Sequence, residues 1–246
     1  MITFYDIPSQ LPQKAWSPNT WKARYCLNYK GIPYRTEWIE FPDIEAKCSS
    51  LGIPPTSHKF GKDHYTLPAI HDPTTGISLA DSIAIAEYLD TTYPDTPIVF
   101  PSGTAALQYA FLDAYLPTLR PFWRFSLPVL ADKLNPPSAE YFIRTRSAMW
   151  GKSIRDVLPS GEERVEEWKK AKESVGIVDG WLKKNGEGPF IMGATPCFAD
   201  FFVGGCLTHL KSVLGEDSEE WKDITTWHNG RWKAFLDGLK EYQAVI

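Results

Sequence analysis

The first third of the chain alternates short apolar runs typical of strands with longer segments of helical character. The predicted elements are a strand at residues 2–5, a helix at 18–30, a strand at 34–41, a short helix at 43–51 and a polar loop at 54–64. The run at 34–41 has apolar side chains at both odd and even positions, which predicts a strand buried on both faces.

Two more strands and a helix complete this part of the chain. Residues 67–70 and 77–79 flank Asp72-Pro-Thr-Thr-Gly76, a strong turn signal. Asp81 then begins a helix that ends before Pro94. The resulting order, β-α-β-α-β-β-α, favours a small mixed sheet covered by helices, which we place at residues 1–92.

The remainder of the chain has the periodicity of helices. Residues 93–103 contain several prolines and turn formers and are interpreted as a linker. Residues 104–246 show no convincing pair of strands, so a second, all-α domain is predicted. Within it, a buried helix face is expected from the spacing of Leu107, Ala110, Phe111, Ala114 and Tyr115.

Charge and composition exclude several classes of partner. The 246 residues carry 26 basic and 30 acidic side chains, which argues against nucleic acid because phosphate binding needs a clustered basic surface. No segment approaches the roughly 20 apolar residues of a membrane span, and no signal peptide is expected. Four cysteines without a Cys-x-x-Cys pair favour a reduced, cytoplasmic protein, and five histidines without short helical spacings argue against a metal site.

Ser17 and Pro18 stand where the first helix is predicted to begin. Serine is a preferred N-cap residue and proline is favoured at the first helical position, so one interpretation is a good cap. The other interpretation is chemical, because a helix N-terminus carries about half a positive charge and stabilises a nearby thiolate. A serine hydroxyl can donate one more hydrogen bond to the sulfur, which would have to belong to a bound thiol.

Two motifs further along the chain also allow a ligand. A cis bond before Pro68 would leave the main chain of Leu67 ready to pair with an extended peptide, although edge strands also begin with proline. Asp81 and Ser82 begin the next helix, either as a cap or as partners for a carboxylate and an ammonium group. An α-amino-acid head group would satisfy both.

Together, these motifs in an α/β unit followed by a helical one resemble the glutathione transferases over nearly the whole chain. The pattern Ser-Pro-x-x-Trp…Lys-Gly-Ile-Pro-Tyr at residues 17–34 is similar to the branch that contains the fungal FuA class and the bacterial β-etherases. The resemblance implies a thioredoxin-like N-terminal domain, an all-α C-terminal domain and a homodimer.

The resemblance also implies glutathione as co-substrate, with Ser17 as the catalytic residue beside its sulfur. The cysteinyl main chain of glutathione would pair with Leu67 beside cis-Pro68, and its γ-glutamyl end would lie at Asp81 and Ser82. Trp21 is assigned to the same site. The glycine carboxylate needs a cation from the loop before Leu67, and the candidates are Lys59, which we assign to the site, Lys62, His58 and His64.

The electrophile is expected between the domains, and hydroxylated aromatic compounds are the expected ligand class because aromatic residues make up 14% of the chain and because of the resemblance. The candidate lining residues, which could also be core, are Tyr5, Pro8, Trp16, Phe111, Tyr115, Phe122 and Trp123. The predicted function is a detoxifying glutathione transferase that attacks hydrophobic, aromatic electrophiles. The alternatives are a non-catalytic carrier (ligandin) of aromatic compounds and a glutathione-dependent enzyme that cleaves aryl ethers.

One motif departs from the family pattern. The family usually caps its central C-terminal helix with Ser/Thr-x-x-Asp, whereas this chain has Cys197-Phe-Ala-Asp200. Because that helix is a folding element, the substitution of a thiol for a hydroxyl bears on the strength of the cap and not on catalysis.

Overall fold

The computed structural model describes residues 1–59 and 61–246, and the side chains of all of these except Lys59. The N-terminal part contains β1 (Ile2–Asp6), α1 (Pro18–Tyr29), β2 (Tyr34–Trp38), α2 (Ile44–Ser50), β3 (Ser57–Lys59), β4 (Lys62–His64), β5 (Ala69–Asp72), β6 (Ile77–Ala80) and α3 (Ser82–Thr92). Four strands form a mixed sheet in the order β2-β1-β5-β6, in which β1 is parallel to β2 and antiparallel to β5. This arrangement confirms the expected thioredoxin-like domain.

The C-terminal part is helical, as predicted. Its helices are α4 (Ala105–Tyr115), α5 (Arg120–Leu130), α6 (Pro136–Trp150), α7 (Gly161–Leu182), α8 (Phe198–Leu214) and α9 (Glu219–Gly238). Helix α8 is buried along most of its length and forms the centre of this domain. Within the described residues, no helix is long and apolar enough to cross a membrane.

Two predictions about the first domain were wrong. The strand β2 ends at Trp38 and is not buried on both faces, because it is an edge strand whose side chains after Tyr34 are exposed or half-buried. The segment 54–64, expected as a loop, contains the antiparallel pair β3 and β4. The sequence did not predict these strands, because a small polar hairpin at the surface lacks the alternating apolar positions by which strands are recognised.

The predicted buried face of α4 was wrong at three of its five positions, whereas Tyr115 is buried and Phe111 is half-buried. Leu107 is 71% exposed and Ala110 and Ala114 are exposed, whereas Gln108 and Leu112 point into the core. The amide of Gln108 accepts a hydrogen bond from Ala199 N–H at 2.9 Å, at the start of α8. The helix is apolar on nearly every side, so this buried amide contact distinguishes the inner face where apolar spacing does not.

Helix α1 belongs to the N-terminal domain and also packs against the helical domain. A Cβ atom added at Gly205 of α8 would lie 2.7 Å from the Pro18 carbonyl oxygen, so the absence of a side chain there allows the start of α1 to approach α8 closely. Tyr25 and Thr208 join the same two helices through a hydroxyl hydrogen bond of 2.7 Å. The first turn of α1 is therefore held by both domains.

Candidate active site

Ser17 is at the N-cap position of α1, with extended backbone angles and Pro18 in the first turn. Its side chain makes no capping hydrogen bond, although the residue is only 3% exposed. Its carbonyl oxygen accepts the first helical bond, from Trp21 N–H at 3.0 Å. The hydroxyl is therefore in a position that usually caps a helix and is not used for that purpose.

Lys22 places a second positive group on the first turns of α1. Its Nζ atom donates to the Asn19 side-chain oxygen at 2.8 Å and lies 3.4 Å from the centre of the Phe202 ring. Burial lowers the pKa of Lys22 to about 8, so the ammonium form still predominates at neutral pH. Lys22 and Asn19 line the same cavity as Ser17, and sequence reasoning assigned neither to the site.

The Leu67–Pro68 peptide bond is cis, directly before β5. Pairing between β1 and β5 begins at Ala69, so the main chain of Leu67 lies beyond the end of the ladder. Leu67 is buried and lines the cavity together with Thr66. The cis bond that the motif suggested is therefore present, and the main chain of Leu67 continues past the sheet ladder beside the cavity.

Asp81 is the N-cap of α3, because its Oδ1 atom accepts hydrogen bonds from Ile83 N–H at 2.9 Å and Ala84 N–H at 3.1 Å. Its φ angle is 82°, a value that residues other than glycine rarely adopt. Such strain is found mainly where the surrounding structure imposes it, often at functional sites. Asp81 is exposed and Ser82 is buried, and neither belongs to the lining of the main cavity.

A cavity of about 470 Å³ opens beside Ser17, between the two domains. Of the residues expected in the site, it is lined by Trp16, Ser17, Leu67, Trp123 and His64. The lining is completed by residues of both domains that sequence reasoning did not assign, among them Phe41, Tyr65, Tyr141, Arg146, Cys206 and His209. The volume is sufficient for a small aromatic molecule beside a peptide.

Five expected lining residues pack elsewhere: Tyr5, Pro8, Phe111, Tyr115 and Phe122 are absent from the lining of this cavity. The Phe111 ring stacks on Tyr115, and the Phe122 ring packs edge-on against Trp168, so these rings belong to contacts within the helical domain. Tyr5 and Pro8 are buried on the first domain. Spacing along a helix does not distinguish a core ring from a lining ring, so it could not decide the role of Phe111, Tyr115 or Phe122.

Trp21 also lies away from the main cavity. Its ring is 5.3 Å from that of Tyr25, and it borders a second cavity of about 400 Å³ that Thr208 and Lys211 also line. The motif Ser-Pro-x-x-Trp therefore spans two sides of α1: its serine faces one cavity and its tryptophan faces the other.

The candidate cations for the glycine carboxylate lie on the β3–β4 hairpin. The His58 ring nitrogen is 3.1 Å from the Asp63 carboxylate at an exposed position, and His64 and Asp63 reach the cavity lining. Lys62 is exposed. The side chain of Lys59 lies outside the part of the chain that the structure describes, so its assignment stays a prediction.

His209 of α8 forms part of the cavity wall and is almost fully buried. Its ring lies 6.0 Å from Trp16 and 5.8 Å from Trp123, measured between ring centres. Burial lowers the pKa of His209 to about 4, so the ring is neutral at physiological pH. Its Nδ1 atom is 3.0 Å from the Trp16 carbonyl oxygen and must donate to it, which leaves Nε2 as a hydrogen-bond acceptor.

Among the described residues, the Nε2 atom of His209 has no hydrogen-bond partner. A buried acceptor without a partner is unfavourable, because it has lost water and gained nothing in return. No pattern in the sequence could have located this residue, because it is separated from Trp16 by almost the whole chain. Metal chemistry finds no support in the described ranges, where no three His, Cys, Asp or Glu side chains are grouped to hold an ion.

A thioredoxin-like domain with an uncommitted serine hydroxyl at a helix start, closed by an all-helical domain, has the architecture of a glutathione transferase. Family models described as the N-terminal and C-terminal domains of glutathione S-transferase match residues 16–92 and 106–242. The chain belongs to the glutathione S-transferase family, and it is a glutathione transferase.

Individual relatives cover nearly the full length. The glutathione S-transferase-like protein ustS of Aspergillus flavus is 39% identical, over 95% of this chain and 87% of its own. The crystal structure of CsGST63524 of Ceriporiopsis subvermispora, in complex with glutathione, has a TM-score of 0.94 and 45% identity, over 100% of this chain and 98% of that chain. GSTFuA3 of Phanerochaete chrysosporium has a TM-score of 0.95 and 42% identity with the same coverage, which confirms the expected resemblance to the FuA class.

Proposed function

We propose that this protein binds glutathione with its sulfur at Ser17 and activates the thiolate for attack on aromatic electrophiles in the cavity between the domains. The observation that carries the proposal is the Ser17 hydroxyl, which is buried at the N-cap position and makes no cap. A hydroxyl in this place can donate to a thiolate while the N-terminus of α1 and the Lys22 ammonium add positive charge.

The remaining contacts with glutathione are proposed from the same geometry. The cysteinyl main chain pairs with Leu67 beside cis-Pro68, where the sheet ladder ends. The γ-glutamyl end lies at the start of α3, beside Asp81 and the Ser82 hydroxyl. The assignment of the glycine carboxylate to Lys59, whose side chain lies outside the described part of the chain, rests on the resemblance alone. CsGST63524, which is similar over the whole chain, was crystallised with glutathione, and this supports the assignment.

Hydroxylated aromatic compounds are the ligand class we propose for the rest of the cavity. Rings of Trp16, Phe41 and Trp123 form its apolar walls. The ring of His209 forms part of the wall, and its buried Nε2 atom is a neutral acceptor without a partner among the described residues, so we propose that a phenolic hydroxyl donates to it. Such a ligand would combine stacking on the rings with one directional hydrogen bond.

The test is a titration of the purified protein with glutathione at neutral pH, followed by thiolate absorbance in the ultraviolet and by calorimetry. A thiolate signal that saturates with the binding heat would support activation of the sulfur. Heat without thiolate would favour a glutathione-dependent carrier of aromatic compounds. The absence of binding would refute the site. Release of a phenol from an aryl-ether model compound would identify the third possibility, ether cleavage.

We also propose a detoxifying role in the cytoplasm and a homodimer. The exposed apolar side of α4, with Leu107, Ala110 and Ala114, supports a surface that is covered by another copy. Light scattering that reports a monomer at micromolar concentration would contradict the dimer.

A further inference from the structure

Arg146 of α6 is a cation in the wall of the main cavity. Its guanidinium lies over two aromatic rings, 5.1 Å from the centre of Phe142 and 6.0 Å from that of Phe41. Rings on this side continue toward Ser17, because the Phe41 ring lies 6.1 Å from that of Trp16. Arg146 therefore lies at one end of a wall of rings whose other end is formed by His209 and Trp123.

The guanidinium of Arg146 has no acidic partner in the part of the chain that the structure describes. Among the described residues, no carboxylate lies within 4.0 Å of its guanidinium, whereas Arg24, Arg124, Arg155, Arg164 and Arg231 each have an acidic partner at that distance. The guanidinium of Arg146 donates a hydrogen bond to the Thr145 hydroxyl at 3.2 Å. A guanidinium has five N–H donors, so most of its capacity remains for a ligand.

Partial burial makes this free charge more costly for the protein. The side chain of Arg146 is half-buried, and this desolvation lowers its pKa. The acidic side chains in the cavity lining, Glu45 and Asp63, are both exposed, so they stay hydrated. A half-buried cation among rings favours an anion that brings its own apolar surface.

We propose that Arg146 binds the anionic group of an aromatic acid, so that the cavity selects ligands or electrophiles that carry a carboxylate or sulfonate on a ring system. This inference rests on the proposed function, because it assigns a ligand to the part of the cavity next to the proposed site of the glutathione thiol. The ring of the ligand lies along Phe41 and Trp16, and its anionic group accepts hydrogen bonds from the guanidinium.

The competing anion in the same cavity is the glycine carboxylate of glutathione. The residues proposed to hold the peptide, Leu67 and Ser17, belong to the first domain, whereas Arg146 belongs to α6 and contacts rings. We therefore expect glutathione affinity to be independent of Arg146, and this expectation separates the two assignments.

The experiment compares 2-naphthoate with its methyl ester, which has nearly the same shape and no charge. Binding is followed by quenching of tryptophan fluorescence, with and without saturating glutathione, in the wild-type protein, Arg146→Gln, Arg146→Lys and Arg144→Gln. Arg144 lies on the same helix at an exposed position outside the cavity and is the matched control. The melting temperature of each variant shows whether it is folded.

The wild-type protein should bind naphthoate more tightly than the ester. Arg146→Gln should weaken naphthoate about 10-fold or more and leave the ester nearly unchanged, as expected for loss of a hydrogen bond to a charged group. Arg146→Lys should retain part of the preference because it keeps the charge but not the planar fork of donors. Arg144→Gln should behave like the wild-type protein.

Four results would overturn the proposal. Equal affinity of the wild-type protein for both compounds, or no binding of either, would show that the cavity does not select anions. Equal weakening of both by Arg146→Gln would mean that Arg146 only shapes the wall. Loss of glutathione affinity with naphthoate binding intact would assign the guanidinium to the glycine carboxylate. None of these depends on thiolate formation, which is measured separately by ultraviolet absorbance.

Discussion

Substitution of Ser17 by alanine tests the chemistry of the site most directly. A thiol in water titrates near about 8.5, and lowering its pKa by about 2 units requires about 2.7 kcal/mol of preferential stabilisation of the thiolate. The N-terminus of α1 can supply up to about 2 kcal/mol in good geometry. A hydrogen bond from the serine hydroxyl to the charged sulfur is worth about 1.5–3 kcal/mol. The two contributions are sufficient together and marginal separately.

Ser17→Ala should therefore raise the pKa of the bound thiol by about 1–2 units and slow conjugation at about pH 6.5 by about 5- to 50-fold. Glutathione affinity should hardly change, because the main-chain contacts at Leu67 remain. Stability should also hardly change, because the side chain makes no capping bond. Loss of a serine that does cap a helix would cost about 1 kcal/mol.

The assay measures conjugation of glutathione to chlorodinitrobenzene across a range of pH, with thiolate absorbance and thermal unfolding measured on the same samples. The difference in conjugation rate between Ser17→Ala and the wild-type protein should diminish as the pH rises above the pKa of the free thiol. Turnover equal to that of the wild-type protein at every pH would refute the role of Ser17. A fall in melting temperature accompanied by unchanged turnover would show that the hydroxyl acts as a cap.

Three further substitutions test the surrounding structure. Cys197→Ser should leave the melting temperature unchanged or raise it, because a hydroxyl can replace the thiol that lies 3.2 Å from the Asp200 carboxylate; a clear decrease would contradict this. Gly205→Ala should lower both the melting temperature and conjugation, because its Cβ would lie 2.7 Å from a carbonyl oxygen at the start of α1. Gly180→Ala is the control, because a Cβ atom at this helical position would have no neighbour within 4 Å. It should stabilise the protein by up to about 1 kcal/mol, and an equal response of Gly205→Ala and Gly180→Ala would be inconsistent with the close contact. His209→Gln should flatten the loss of stability in acid: the pKa of His209 is lowered from 6.5 to about 4, so its contribution is present above pH 6.5 and is lost as the pH falls toward 4. That contribution is at most about 3 kcal/mol. Burial of Asp200 raises its pKa to about 6 and acts in the opposite direction, so denaturant unfolding of the variant and the wild-type protein must be compared over the same pH range. Parallel curves of unfolding free energy against pH would exclude the effect.

Local signals in the sequence were sufficient for most of the fold. Pro18 and Asp81 mark helix starts that the structure shows at those positions, and the turn after Asp72 joins β5 to β6 as expected. Periodicity failed where a segment is apolar on all sides, as in α4, or polar on all sides, as in the β3–β4 hairpin. In those cases the inner face depends on tertiary contacts such as the amide of Gln108, which a local pattern does not contain.

The site was predictable only as far as it is built from helix and strand starts. Ser17, Leu67 and Pro68 belong to short motifs with a physical meaning of their own, and the structure places them where those motifs indicate. The wall of the cavity is different, because Phe41, Arg146 and His209 come from three separate segments. Their proximity results from packing of the domains, and single aromatic or charged residues carry no sign of it in the sequence.

The close approach of α8 to the start of α1 has a consequence for local unfolding. Because Gly205 has no side chain, the Pro18 carbonyl, next to Ser17, packs directly against α8. Amide hydrogens in the first turns of α1 should therefore exchange with solvent only when the contact with α8 opens, as part of one cooperative unit. A fluctuation that separates α8 from α1 would therefore disrupt the helix start and this part of the cavity wall together.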